Sequence, residues 1–546
     1  MNLKKITVFG WILCTSLGWA QNKMKNPEDF ITDKSLRNHL KILASDEFQG
    51  RKPFTEGEEK TTAYLAKVYK ELGLKAPYNG SYFQKVPMVS MQYQPSKNIS
   101  LSTKKGNLNL EYIKDYIATT SHIKEKVSIK DSELVFAGYG IVAPEYGWND
   151  YEGLDVKGKT VLVLVNDPGF ATQNPKLFKG NSMTYYGRWP YKFEEAARQG
   201  AKGVWVIHET KAAGYGWQVL TNTAHSGLYI QNKDGNAANT ALTGWITEDA
   251  VKKIFEANDL NFDNAKKQAS EKGFKSIPLQ TQLNIVIENK IKYDNTKNVV
   301  GIIEGTDKKD ESIVFSAHWD HFGIGPKQGK DSIYNGAIDN GTAIAAMLET
   351  AKAFKQSSKP RRTLVFIAVS AEETGMAGSK YYAENALFPA NKTIANLNYE
   401  LLLPYGRMKD VTITGFGQSE LDQLAGEEAE KQNRYIVEEP FPEQGMYYRS
   451  DHFSFAKVGI PSLFVKGWQD SRTHGKEWAK QKINEYWATK YHKPADNYEE
   501  NFDLSGCVED AQLFYKIGWR LATENIYPKW NPASEFKKIR EDSLAK

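Results

Sequence analysis

The stretch "SAHWDHFGIG", Ser316 to Gly325, places a His-Trp-Asp-His cluster directly behind the apolar run Ile313-Val314-Phe315. A buried strand that stops in two imidazoles, a carboxylate and glycines reads as a site rather than as core. In open α/β sheets, ligands collect beyond the carboxyl ends of the strands, so the residues that follow each strand carry the information.

Strand and helix signals alternate around this stretch. From Asn298 the order is strand "NVVGIIEG", strand "SIVFSA", helix "GTAIAAMLETAKAFKQ", strand "RTLVFIAVS", a helix from about Gly378, and strand "TIANLNYELL". "DVTITG" and "IPSLFV" add strands, and "AQLFYKIGWRLATEN" adds a closing helix. Such alternation predicts an α/β fold, a mixed and mainly parallel sheet flanked by helices. Upstream, Asp33 or Ser35 can cap a helix through Leu36, Leu40 and Leu43, and a second helix runs from about Glu58 to Leu72, closed by Gly73. Residues 132–280 differ in character: "SELVFAGYGI", "KGKTVLVLVNDP" and "GAKGVWVIHET" are short β-rich runs separated by Gly, Pro and Asn, with one helical stretch, "YKFEEAARQGA". The expected division is a leader over 1–20, an N-terminal part of the main unit over 27–131, an inserted β-rich unit over 132–280, and the rest of the main unit over 281–530.

A chain of 546 residues is too long for one hydrophobic core. Its 40% hydrophobic, 25% charged and 12% aromatic content is that of an ordinary globular protein. The formal charge of +5, with no Lys/Arg block, gives no motive for nucleic-acid binding. Lys4 and Lys5, the apolar run Ile6 to Leu17 and then Gly18-Trp19-Ala20 read as a signal peptide, so the protein is expected to be exported, periplasmic or secreted. No segment reaches ~18 consecutive apolar residues, so no membrane span is expected. Cys14 leaves with the leader, and Cys507 alone cannot form an internal disulfide. The sequence carries no signal for an oligomeric state.

Five strand-end segments deliver chemistry-bearing residues: His318 and Asp320; Asp339, ahead of the Ala-rich helix; Glu372 and Glu373; Glu400; and, far downstream, His492. Imidazole plus carboxylate is a ligand set that zinc accepts, and three carboxylates are more than one ion normally takes. Two Zn²⁺ bring four positive charges against Asp339, Glu373 and Glu400, so two ions per chain are expected. A metal pair ~3.5 to 4 Å apart would activate a water and polarise a carbonyl together. Glu372, beside a ligand but left over, is free to act as general base.

"SAHWDH", "NGAIDNGT", "SAEETGMAGS", "RSDHFSFAKVGIPS" and "YHKPADNYE", in that order, resemble the M28 family of zinc exopeptidases across nearly the whole chain after the leader. The resemblance implies that His318 and Glu400 hold one zinc, Glu373 and His492 the other, and that Asp339 bridges both. It implies Glu372 as base, Asp320 as the aspartate orienting the first histidine, and Tyr491 as stabiliser of the oxyanion. It also implies a cis peptide at Asp339-Asn340 and identifies residues 132–280 as similar to a protease-associated domain. One position departs from the pattern: Asn398-Tyr399-Glu400 stands where the family usually has Asn-x-Asp. Both metals are still expected to bind.

Arg449 is expected to contact substrate or to pair with Asp451. His321 and His452 are expected to support loops, and His39, His122, His208, His225 and His474 to be structural or at the surface. "DEFQGR" (Asp46 to Arg51) resembles the family's N-terminal signature and is expected to pack near the site without chemistry, and "GRWPYKF" to be a domain-packing surface. The implied function is an aminopeptidase acting on peptides. A one-zinc glutaminyl cyclase, a carboxypeptidase and a non-catalytic receptor-like binding protein of the same fold are the alternatives.

Overall fold

The computed structural model describes residues 26–545, so the signal-peptide reading of residues 1–20 lies outside the described residues. A sixteen-stranded mixed sheet runs through the molecule. At its centre, Lys308–His318 lies parallel to both Arg362–Val369 and Thr393–Asn398, and Thr393–Asn398 lies parallel to Ser462–Lys466. These are the strands read from the sequence, and their carboxyl ends share one rim.

The strands are apolar on both faces because both faces are covered. Ile313, Phe315 and Ala317, with Leu364, Phe366 and Ala368, point into a core shared with the helices Asp33–Leu43, Thr342–Lys355 and Ser505–Thr523. Val314, Val365, Ile367 and Val369 point the other way, onto Tyr382, Phe455 and Ile460. This alternation is the period-2 geometry of a strand. Each large side chain so buried contributes about 1.5–3 kcal/mol. In Thr342–Lys355 only Lys352 and Lys355 escape burial, which is why its alanines and apolar residues run all the way round. Its amino end follows Asp339 and Asn340 directly, so a carboxylate sits where the helix dipole is positive.

The inserted unit is continuous with this sheet. One strand of 27 residues, Ile277–Ile303, pairs antiparallel with Lys126–Phe136 near its start and with Arg362–Val369 at its end. Phe83–Pro95 runs antiparallel along its middle. Beyond Lys126–Phe136, the strands Thr160–Leu164, Gly203–His208 and Leu242–Thr247 are parallel neighbours. Chain from before residue 132 joins the strands of residues 132–280. Tyr116–Thr119 pairs with Leu242–Thr247, and the hairpin Asn98–Thr103/Gly106–Glu111 joins the long strand at Gln282. Ile99, Leu101, Leu110 and Tyr116 therefore share a core with Leu134, Phe136, Leu162 and Trp205, and with Tyr447 and Phe453 from far downstream. The strand partner of Tyr116, Ile246, lies more than a hundred residues away, beyond the reach of a local pattern.

Candidate metal centre

The rim brings His318, Asp339, Glu373, Glu400 and His492 together. His318 is the last residue of its strand, and its Nε2 lies 3.2 Å from Asp339 Oδ1 and 3.3 Å from Glu400 Oε1. His492 approaches from the far side, its Nε2 3.3 Å from Asp339 Oδ2 and 3.2 Å from Glu373 Oε2. Asp339 thus gives one oxygen to each imidazole. The Asp339–Asn340 peptide bond is cis.

The donor set fits zinc: among the described residues His318, Asp339 and Glu373 each offer a ligand atom within 4.8 Å of the others, and imidazole plus carboxylate is a set that zinc accepts. The charge balance agrees. Asp320, Asp339, Glu372, Glu373, Glu400, Asp451 and Asp496 share one electrostatic neighbourhood around His318, His492 and His321. Buried carboxylates in such excess over cations are costly without further positive charge. The imidazoles partly supply it. Burial pulls His318 down, but Glu400, Asp339 and Glu372 outweigh burial and hold it well above the usual range. His492, likewise desolvated, is pushed up to about 9 by Asp339 and Glu373.

A model of peptidase family M28 matches residues 298–513, which contain all five of these side chains. Over these residues the chain is similar to that family. Aminopeptidase NAALADL1 of Mus musculus is 26% identical over 132 residues, 23% of this chain and 16% of that protein. Glutamate carboxypeptidase 2 homolog of Caenorhabditis elegans is 22% identical over 404 residues, 65% of this chain and 49% of that protein. The chain therefore spans less than half the length of both relatives. Among solved structures, an aminopeptidase from Aneurinibacillus sp. strain AM-1 is 18% identical with a TM-score of 0.45, covering 92% of this chain and 97% of that one.

Within the matched residues, Glu372 lies among His318, Glu400, Glu373 and Asp451. Burial first, then the neighbouring carboxylates, raise its pKa well above the usual range, the direction a proton acceptor and donor near neutrality needs. Glu400 uses its extra methylene to reach two anchors as well as His318: Ser450 Oγ donates to its Oε2 at 2.9 Å and Asn340 Nδ2 at 3.4 Å. Ser450 Oγ in turn accepts from Asn398 Nδ2 at 2.9 Å.

Asp320 does not orient His318 through its carboxylate. Its Oδ1 is 3.8 Å from His318 Nδ1, while its backbone carbonyl lies 3.1 Å away. The carboxylate instead accepts the N–H groups of Glu372 and Glu373, at 3.1 and 3.4 Å, and so fixes the turn carrying both glutamates. Tyr491 stacks on its neighbour His492 with ring centroids 3.7 Å apart. Arg449 is exposed and, among the described residues, makes no ion pair with Asp451; its guanidinium donates from Nη1 to Met446 Sδ at 3.7 Å. Asp451 is buried beside Ser450, and burial pushes its carboxyl up to about 7. His452 is core, edge-on to Tyr447 and tilted against Phe464.

Of two supporting residues inside the quoted motifs, His321 was read only as a loop support and Asp496 was not read at all. His321 Nδ1 bonds Glu373 Oε1 at 2.5 Å, holding that carboxylate from behind. Asp496, four residues after His492, accepts the N–H groups of Ile338 and Asp339 at 3.0–3.2 Å and so fixes the bridging residue. A polar residue three or four places from a ligand was the signal available. Lys466, ending the strand after Ser462, is also buried, with Nζ over Trp468 at 3.7 Å; burial pulls it down to about 7.

Proposed function

We propose that the protein is an exported dizinc exopeptidase that removes residues from the amino end of peptides. The observation that carries this reading is the sharing of Asp339 between His318 and His492, each also facing its own glutamate, with Glu372 beside them. His318 and Glu400 would hold one ion, Glu373 and His492 the other, and Asp339 both. Bound there, the ions would polarise the scissile carbonyl and acidify a water.

The chain's own residues supply the rest. Glu372 takes the water's proton and returns it to the leaving amine. Tyr491, stacked against His492, offers its O–H to the charge that develops on the carbonyl oxygen. The turn held by Asp320 keeps Glu372 and Glu373 at fixed separation, and the Ser450 and Asn340 contacts keep Glu400 extended.

One observation favours a second reading, carboxypeptidase action. Arg188, from the inserted unit, lies close enough to Arg449 for each charge to feel the other, and Arg449 also bears on Tyr491. A pair of cations at the rim suits a terminal carboxylate.

A panel of aminoacyl substrates, N-blocked dipeptides and C-amidated dipeptides, with and without a chelator, separates the two. Metal-dependent cleavage that requires a free amine supports the aminopeptidase; cleavage of blocked peptides that requires a free carboxylate replaces it with the carboxypeptidase. Export is tested by the amino terminus of protein recovered outside the cytoplasm: a start near Gln21 supports it, and retention of Met1 contradicts it.

A further inference from the structure

The segment Asp46–Arg51 ends in an arginine that is 1% exposed, among the largest fully buried side chains of the molecule. Among the described residues its guanidinium bonds no carboxylate. All five of its N–H groups go to backbone carbonyls instead. Nε donates to Trp319 O at 2.8 Å; Nη1 to Leu43 O at 2.8 Å and to Asn335 O; Nη2 to Gly336 O at 2.8 Å and to Asp339 O at 3.5 Å. The carbonyl of Arg51 itself accepts the N–H of His321 at 3.3 Å.

Apart from Leu43, the last residue of the helix Asp33–Leu43, these partners fall into two loops. One runs from His318 to His321, and the other from Asn335 to Asp339. They hold the first histidine, the imidazole that steadies Glu373, and the bridging aspartate. The backbone is shaped for the contact: Gln49, Gly50 and Arg51 have φ of 51°, 64° and 50°. A Cβ on Gly50 would lie 2.4 Å from Tyr334 O and 2.8 Å from Gly323 O, so only glycine lets this turn press against the base of the hairpin that joins the two loops.

A buried cation normally pairs with an acid. Here the carboxyl groups of Asp496, Asp339, Asp320 and Glu373 feel the charge from a distance. The acidic cluster thus receives a positive charge without any of its carboxylate oxygens being taken up by the guanidinium. Lysine could supply the charge but not the clamp, because three donors on a flexible stem cannot span five carbonyls in a planar fan.

We propose that Arg51 is the positioning residue of the metal centre, locking the His318–His321 and Asn335–Asp339 loops in ligand geometry from beneath. The proposal rests on the dizinc reading above. Its test is Arg51→Lys, titrated with Zn²⁺ against a competing chromophoric chelator and with Co²⁺ by visible absorption, beside wild type.

The expected result is zinc affinity weakened about 10- to 100-fold at both positions, shifted Co²⁺ bands, and a lower kcat with KM little changed. Equal zinc affinity and an identical Co²⁺ spectrum in Arg51→Lys would overturn the proposal while leaving the dizinc reading intact. A wild-type protein that takes up no zinc would remove that reading and the proposal with it. If Arg51→Lys does not fold, Arg51→Ala refolded with and without methylguanidinium decides. Zinc uptake restored by the guanidinium supports the clamp, and no restoration overturns it.

Discussion

Asp339 faces two histidines at once, with Oδ1 3.2 Å from His318 Nε2 and Oδ2 3.3 Å from His492 Nε2. Burial raises its pKa and the two imidazoles more than reverse that, holding the carboxyl well below the usual range. It is the one side chain on which both proposed metal positions depend. Asp339→Ala should reduce bound zinc from two ions to fewer than one and activity by about a thousandfold, several kcal/mol of transition-state stabilisation. Atomic spectroscopy of the dialysed variant and its kcat/KM check this; a variant that keeps two ions contradicts it.

Glu372 is assigned proton transfer without metal binding. Glu372→Gln should therefore lose about 10²- to 10⁴-fold in kcat and keep its full zinc content. Loss of an ion along with activity would reassign Glu372 as a ligand.

Ser450 donates to Glu400 Oε2 while Glu400 Oε1 faces His318. Removing the hydroxyl frees a side chain one methylene longer than the family's usual aspartate. Ser450→Ala should weaken one of the two zinc ions about tenfold and leave the other unchanged. Competition titration resolves the two affinities, and two unchanged constants would show that the hydroxyl is idle.

Far from the metal ligands, Glu58 is 2% exposed and accepts from Phe54 N at 2.6 Å and Thr296 Oγ1 at 3.0 Å. Burial nevertheless pushes its carboxyl from 4.5 up to about 7. Between those values the native chain holds a proton that the unfolded chain has released, so stability falls as pH rises through this window and levels off above it. Glu58→Gln removes the slope. Relative to wild type, the variant should gain roughly 1–3 kcal/mol between about pH 4.5 and pH 8. Thermal melts across that range check it, and a difference independent of pH contradicts it.

How far the sequence could be read follows from where each partner sits in the chain. His318, Glu372, Glu373 and Glu400 were legible because each follows a strand buried on both faces, whose apolar run is unmistakable. His492 follows a helix rather than a strand, so its residue type and not its setting put it among the candidates. Arg51 was set aside because its partners are backbone carbonyls, which have no sequence signature. The clamp it forms exists only once loops some 270 to 290 residues downstream have folded against it. The same blindness covers Tyr116 and Ile117, which are paired by residues near 245, a distance that no local pattern reports. Asp320 was misread for a simpler reason. A side chain two residues from a histidine competes with its own carbonyl for the ring nitrogen, and here the carbonyl is nearer.

The most direct test of the account is the zinc content of the purified full-length chain, saturated with zinc and then freed of excess, measured by mass spectrometry of the metal against protein concentration. Two ions per chain, both removed by a chelator together with peptidase activity, is the predicted result. One ion or none, with activity unaffected by the chelator, would contradict it.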